Sequence, residues 1–162
     1  MNENNEWNAQ PSFASVSGKD FLANSNLQQE VFGPFTLTVV CDGRDEVLQV
    51  ASCLHGQLTS TIMANDDEAN NYSDLLEILA QKAGRVIYNG VPTGVEVCQA
   101  MHHGGPFPAS SNGAYTSVGV EAAKRFVRPV SFQNIPDSLL PDELKSANPL
   151  GIWRTVNGQK TK

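Results

Sequence analysis

Apolar residues along this chain recur with two periods, and the places where the period changes mark its elements. Residues 13–16 and the run Phe35-Thr36-Leu37-Thr38-Val39-Val40-Cys41 are short, apolar and rich in β-branched side chains. Both read as strands. Between them, residues 20–28 carry spaced apolar positions and read as a short helix. Val47, Val50, Ala51 and Leu54 then fall at helical spacing, predicting a helix over 45–55 with Asp42 as its cap and Gly56 as its stop. Residues 58–64 predict another strand. Tyr72, Leu75, Leu76, Leu79 and Ala83 share one face of a predicted helix over 70–83, ended by Gly84. A strand over 85–90 follows.

From residue 90 to 115 the pattern dissolves into a Gly/Pro/Ser-rich passage. One helical turn is expected at 95–101. A loop of that length inside a compact domain is a functional candidate. Thr116 or Ser117 is expected to cap a helix over 117–127, and 129–133 to form a last strand. The tail, 136–162, carries Pro136, Pro141 and Pro149 and reads as a wrapping extension anchored by Ile152 and Trp153. At the other end, residues 1–10 are polar and Asn-rich, with Trp7 as their one anchor. Strands alternating with helices predict an α/β fold with a parallel sheet and crossover helices. The predicted organisation is a polar segment over 1–10, a domain over 11–135 and the tail over 136–162.

Composition narrows the function. Hydrophobic residues make up 40% of the 162 positions and charged residues 17%, against about 25% charged in ordinary domains. The net charge of −6 comes with no Lys/Arg cluster. That speaks against nucleic acid or an anionic membrane as partner. No apolar run is long enough to span a bilayer. Three widely spaced cysteines suggest free thiols and a reducing, cytoplasmic setting. Neither G-x-G-x-x-G nor G-x-x-x-x-G-K-[ST] occurs, so the chain has no self-contained phosphate-binding loop of those types.

The segment Gln29-Glu30-Val31-Phe32-Gly33-Pro34 joins the first helix to the second strand. Its Gly-Pro pair forces a break, which leaves a carboxylate and an aromatic ring two positions apart at the lip of a strand. A carboxylate accepts from both hydroxyls of a ribose diol, and a phenyl face packs on a flat heteroaromatic ring. This segment resembles the E-x-F-G-P signature of the aldehyde dehydrogenase superfamily. Gly84-Arg85-Val86-Ile87-Tyr88-Asn89 is similar to the family's G-x-V-x-x-N stretch. The family's usual P-F-G-G-x-K stretch is altered here to Pro106-Phe107-Pro108-Ala109-Ser110. Together with His103-Gly104-Gly105 before it and Asn148-Pro149-Leu150-Gly151-Ile152-Trp153-Arg154 in the tail, it looks like the NADP-preferring fatty aldehyde and 2-oxoglutarate semialdehyde (2,5-dioxovalerate) dehydrogenases.

The resemblance implies a fold, a chemistry and roles for particular residues. The fold would be the C-terminal part of an aldehyde dehydrogenase catalytic domain, the last third of such an enzyme. The activity would be oxidation of an aldehyde to a carboxylic acid with NADP or NAD. Glu30 would bind the nicotinamide ribose and Phe32 would lie against the nicotinamide. His103 would approach the catalytic centre, the alternative being a structural His bonded within its loop. The family's nucleophilic Cys and dinucleotide domain belong to upstream segments with no counterpart here. The partners implied are therefore the upstream part of the same enzyme, a second copy in a homo-oligomer, and the aldehyde substrate.

Cys41 and Cys53 read as small buried hydrophobes rather than nucleophiles. Cys98, His102 and His103 lack the further spaced donor that a metal site wants, so none is assigned. Asn89 reads as a tie between its strand end and the following loop. Two other functions stay open on the sequence: a non-catalytic interaction or oligomerisation module, and a truncated fragment without activity. In either case, or as one part of an enzyme, the isolated chain is expected to be inactive.

Overall fold

The computed structural model describes residues 9–162; Trp7 and most of the polar N-terminal segment lie outside them. The chain divides into two compact units, Met1–Phe126 and Val127–Lys162.

The first unit is a small α/β assembly. Strand β1 (Ser12–Ser17) leads directly into helix α1 (Gly18–Ala23). The helix begins earlier than the periodicity predicts, because Ser17 caps it: its hydroxyl accepts the backbone N–H of Asp20 at 3.1 Å. The helix also stops earlier. Asn24 turns extended, accepting from Asn26 N–H through its side chain at 3.1 Å, and the chain continues as a 3₁₀ turn over Ser25–Gln28. Strand β2 (Phe35–Val40) pairs in parallel with β1, with Ser12 opposite Phe35.

Helix α2 (Arg44–Cys53) follows, and Asp42 does not cap it. The relationship is reversed: the Glu46 carboxylate accepts the backbone N–H of Asp42 at 2.6 Å. Strand β3 (Gln57–Ile62) pairs in parallel with β4 (Ala83–Tyr88). Between them the expected single helix over 70–83 is a composite. A short α3 (Asp66–Ala69) and a 3₁₀ turn over Asn70–Tyr72 precede α4 (Ser73–Lys82). Gly84 is no helix stop; it lies within β4.

Parallel pairing with helical crossovers therefore holds within each pair of strands. The strands do not form the expected single sheet, because β1–β2 and β3–β4 are separate two-stranded sheets among the described residues. The core lies where α1 meets α2, α2 meets α4, and α4 meets β4. Its buried apolar residues are Phe21, Ala51, Leu79 and Ala83. Full burial of a Phe or Leu side chain contributes about 1.5–3 kcal/mol. Much apolar surface stays uncovered: Phe13 of β1 and Val40 of β2 are both exposed. At the surface Arg44 pairs with Asp74, linking the starts of α2 and α4.

Two expected elements are absent or altered further on. Residues 95–101 form no helix, only a turn closed by Met101 N–H on the Cys98 carbonyl at 3.3 Å. The helix expected over 117–127 is a 3₁₀ segment, Val120–Phe126. It starts late because Gly119 sits at φ +94°, and because Thr116 and Ser117 spend their hydroxyls elsewhere, as described below.

In the second unit the strand expected over 129–133 does not form. Pro129 lacks a donor, and no strand among the described residues pairs with this stretch. Instead a hairpin missing from the sequence reading closes the chain. Strands β5 (Arg154–Val156) and β6 (Gln159–Thr161) pair antiparallel about Asn157-Gly158. Both turn residues have positive φ, 50° and 82°, as a two-residue hairpin turn requires. Trp153 is 70% exposed and anchors nothing within the unit. Polar bonds hold the tail. The Asp137 carboxylate accepts from the backbone N–H and hydroxyl of Ser146 at 2.7 and 2.8 Å. Arg154 donates to the carbonyls of Lys145 and Ser146 at 2.6 and 3.2 Å.

Candidate functional site

Glu30 and Phe32 sit on the irregular connection between the Ser25–Gln28 turn and β2. The Gly33-Pro34 break has the expected effect. Phe35 N–H turns back to the Gly33 carbonyl at 2.8 Å, and Ser12 N–H takes the Pro34 carbonyl at 2.9 Å. The connection is thereby pinned to the start of both strands while its side chains stay outward. Glu30 is exposed and hydrogen-bonds to no other described residue, and Phe32 is 97% exposed. A large apolar ring held in solvent has no role in this unit's core.

Glu30 lines a hollow of about 530 Å³ whose other walls include Gln28, His55, Gln57, Leu58 and Ala109. His103 lines a second hollow, of about 580 Å³, with Ser110, Tyr115 and Arg125 among its neighbours. Leu58 and Ala109 line both hollows. The structure thus brings Glu30 and His103 to adjoining spaces, although 73 positions separate them in the sequence. Phe32 lines neither.

The His103 loop is packed against the unit rather than held out from it. Gly104 and Gly105 are buried. The loop lies directly on β3 and β4, and glycines on both sides permit the approach. A side chain at Gly84 would run into the Gly104 carbonyl, and one at Gly56 into the carbonyls of Pro106 and Phe107. Backbone bonds then clamp His103. Its N–H donates to Thr116 Oγ1 at 2.8 Å, and its carbonyl accepts from Ser117 N–H at 2.9 Å and Ser117 Oγ at 3.0 Å. Thr116 is itself buried and donates onward to the Val118 carbonyl at 2.7 Å. These hydroxyls are the ones expected to cap the next helix. His103 Nδ1 is buried without a hydrogen-bond partner among the described residues.

Sequence reasoning missed Thr116 and Ser117 in this role, since nothing local tells a clamp from a cap. It also missed His55, which no motif marks. Asn89 is a tie, but a different one from that expected. At φ 46° its side chain reaches the segment just past β3, accepting from Ala64 N–H at 3.0 Å and donating to the Ala64 carbonyl at 2.8 Å.

Cys41 lies just beyond β2 and is half-buried. Burial pushes its thiol pKa up, and Glu46 and Asp42 add to the shift. It is thus protonated at neutral pH and a poor nucleophile. Cys53 ends α2, and its thiol donates to the Val50 carbonyl at 3.1 Å. Among the described residues no group of three His, Cys, Asp or Glu is arranged to hold a metal ion, and no helix is long and apolar enough to cross a membrane.

Comparison with known proteins identifies what carries these hollows. The chain is 51% identical over 144 residues to alpha-ketoglutaric semialdehyde dehydrogenase 2 of Azospirillum brasilense, which covers 89% of this chain. It is 48% identical over 155 residues, 95% of its length, to the alpha-ketoglutaric semialdehyde dehydrogenase of Acinetobacter baylyi. This chain belongs to the aldehyde dehydrogenase superfamily. No protein-family model matches it. The chain spans 27% and 30% of the length of these two aldehyde dehydrogenases, so it corresponds to a part of such an enzyme. The E-x-F-G-P segment and the His103 loop, well apart in the chain, border one pair of hollows in this aldehyde dehydrogenase part.

Proposed function

We propose that this chain is the C-terminal part of an NAD(P)+-dependent dehydrogenase that oxidises the semialdehyde of 2-oxoglutaric acid to the dicarboxylic acid. The observation that carries the reading is near-50% identity across almost the whole chain to two enzymes named for that substrate. The exposed surface supports the reading as a part. β1 leaves Phe13 uncovered at 73% exposure, and unpaired strand edges with apolar surface call for a covering segment. The partner in this reading is the upstream part of the same enzyme.

The residues present fit a nicotinamide dinucleotide on one side. Glu30 offers a carboxylate uncommitted to any described residue, beside a hollow, and Phe32 offers an exposed ring two positions on. The cofactor, when bound, supplies the hydride acceptor. Glu30 holds the hydroxyls of the nicotinamide ribose, Phe32 packs on the ring, and His103 positions the aldehyde or moves a proton beside it. The clamp on both backbone groups of His103 fixes the main chain from which its imidazole projects. Nothing here supplies the nucleophile, whose positioning accounts for several kcal/mol of such a barrier.

The isolated chain therefore does not oxidise aldehydes. The test is to follow reduced nicotinamide with the purified chain, NAD(P)+ and the semialdehyde, with and without the upstream polypeptide. Turnover only with the upstream part supports the reading. Sustained turnover by the chain alone, blocked by alkylating Cys98, overturns it. A second reading, a non-catalytic interaction module, draws on Trp153 in the second unit, a large and exposed aromatic of the kind interfaces use. Homo-oligomer formation without catalytic complementation would favour that reading.

A further inference from the structure

His55 stands at the joint between α2 and β3, and its neighbours fix it there. Leu54 ends the helix with an extended backbone, φ −57° and ψ 141°. Gly56 is buried against the carbonyls of Pro106 and Phe107, which leave no room for a side chain there. The His55 side chain is left exposed, and it lines the same hollow as Glu30.

The hydrogen-bonding groups of that hollow are unevenly committed. Each of the three glutamine amides on its wall already directs an N–H to a protein acceptor. Gln28 donates to Cys53 Sγ at 3.7 Å, Gln29 to Asn26 Oδ1 at 3.5 Å, and Gln57 to the His55 carbonyl at 3.3 Å. The His55 imidazole bonds to no described residue, and His55 and Glu30 form no ion pair with each other. Among the described residues, no lysine or arginine lines the hollow. It therefore presents the Glu30 carboxylate as its one charged acceptor, beside the unpartnered Gln28 amide oxygen, and the His55 ring N–H as a donor bonded to no described residue.

A sugar diol needs both. Each hydroxyl donates one hydrogen bond and accepts others, and an ionised carboxylate can only accept. If Glu30 takes the diol's protons, the diol's own lone pairs still require a donor from another element, or they stay unpaired in a partly closed space. We propose that His55 is a second cofactor-binding residue, donating its imidazole N–H to the ribose hydroxyls whose protons Glu30 accepts. This rests on the cofactor reading of Glu30.

The experiment uses the dehydrogenase-length protein carrying this chain, with calorimetric Kd values for NADP+ and NAD+ and melting temperatures of each variant. His55→Ala is expected to raise Kd roughly tenfold, the loss of one hydrogen bond to a ligand, at unchanged melting temperature. His55→Gln restores an N–H donor and is expected to recover most of the affinity. If Glu30→Gln weakens binding while His55→Ala leaves Kd unchanged, the inference fails and the cofactor reading survives. If neither variant alters Kd, the cofactor reading fails and takes the inference with it. A drop in melting temperature for His55→Ala with no recovery of Kd in His55→Gln assigns the residue to the α2–β3 joint instead and overturns the proposal.

Discussion

The backbone N–H of His103 donates to Thr116 Oγ1 at 2.8 Å, and Thr116 is the one buried polar residue among those described. A buried hydroxyl holding the main chain of a candidate site residue is a structural device with a measurable cost of removal. Thr116→Val keeps the shape and deletes both the acceptor for His103 and the donor to Val118. Leaving a buried backbone N–H unpaired costs about 1–3 kcal/mol. The variant is expected to lose that much unfolding free energy, read as a lower denaturant midpoint, with Thr116→Ser close to wild type.

Gly56 tests the seating of the same loop from below. A methyl group there would meet the carbonyls of Pro106 and Phe107. Overpacking of this kind costs about 1–3 kcal/mol. Gly56→Ala should lower stability and also speed amide exchange at Ala109, whose N–H donates to the Pro106 carbonyl at 2.9 Å.

His103 and His102 separate a site role from a structural one. The clamp on His103 uses only its backbone, so His103→Ala preserves every one of those bonds. In the complete enzyme the substitution is expected to lower turnover with little change in melting temperature. His102→Ala should do less to turnover. Equal effects from both, or a large loss of stability from His103→Ala alone, would favour a structural His.

Glu30 and Phe32 are predicted to affect cofactor use without affecting folding. Phe32→Ala removes a ring that is 97% exposed, so its melting temperature should not fall. Glu30→Gln loses a charge-assisted contact, on the order of 1.5–3 kcal/mol, which is roughly ten- to a hundredfold in cofactor Kd or KM. Unchanged cofactor kinetics in both variants would remove the ribose and nicotinamide roles.

Asp137 predicts a pH dependence in the second unit. Its carboxyl is held below the usual range by the backbone N–H of Ser146, then by the Ser146 hydroxyl, with smaller help from Lys145 and Arg154. A depressed folded-state value means the stabilisation is present above the unfolded carboxyl value, about 3.9, and is lost as pH falls through the lower folded value. The Ser146 amide should therefore stay protected to mildly acidic pH and lose protection only below that range. In Asp137→Asn the protection should be weaker at neutral pH and should not titrate.

What the sequence alone determined is local. Apolar spacing located β2, β3, α2 and α4 to within a few residues, because periodicity reports which face is buried whatever it is buried against. Gly33-Pro34 determined that the Glu30 segment breaks, since proline's missing donor acts within its own turn. Motif order also pointed to the family, as the identity of nearly half the residues to its relatives attests. Tertiary structure decided whatever depends on partners distant in sequence. Residues 129–133 have strand composition but no strand to pair with. Thr116 and Ser117 have the side chains of helix caps, yet the His103 loop reaches them first. The Asn157-Gly158 turn was legible in principle as a hairpin signal, but its flanking strands are only three residues each and carry little alternation. His55 and Glu30 share a hollow because Gln28 reaches across to Cys53 at the end of α2, and Gly56 and Gly84 let the loop over 103–110 settle onto β3 and β4 to supply its far wall. No pattern within either segment encodes that approach.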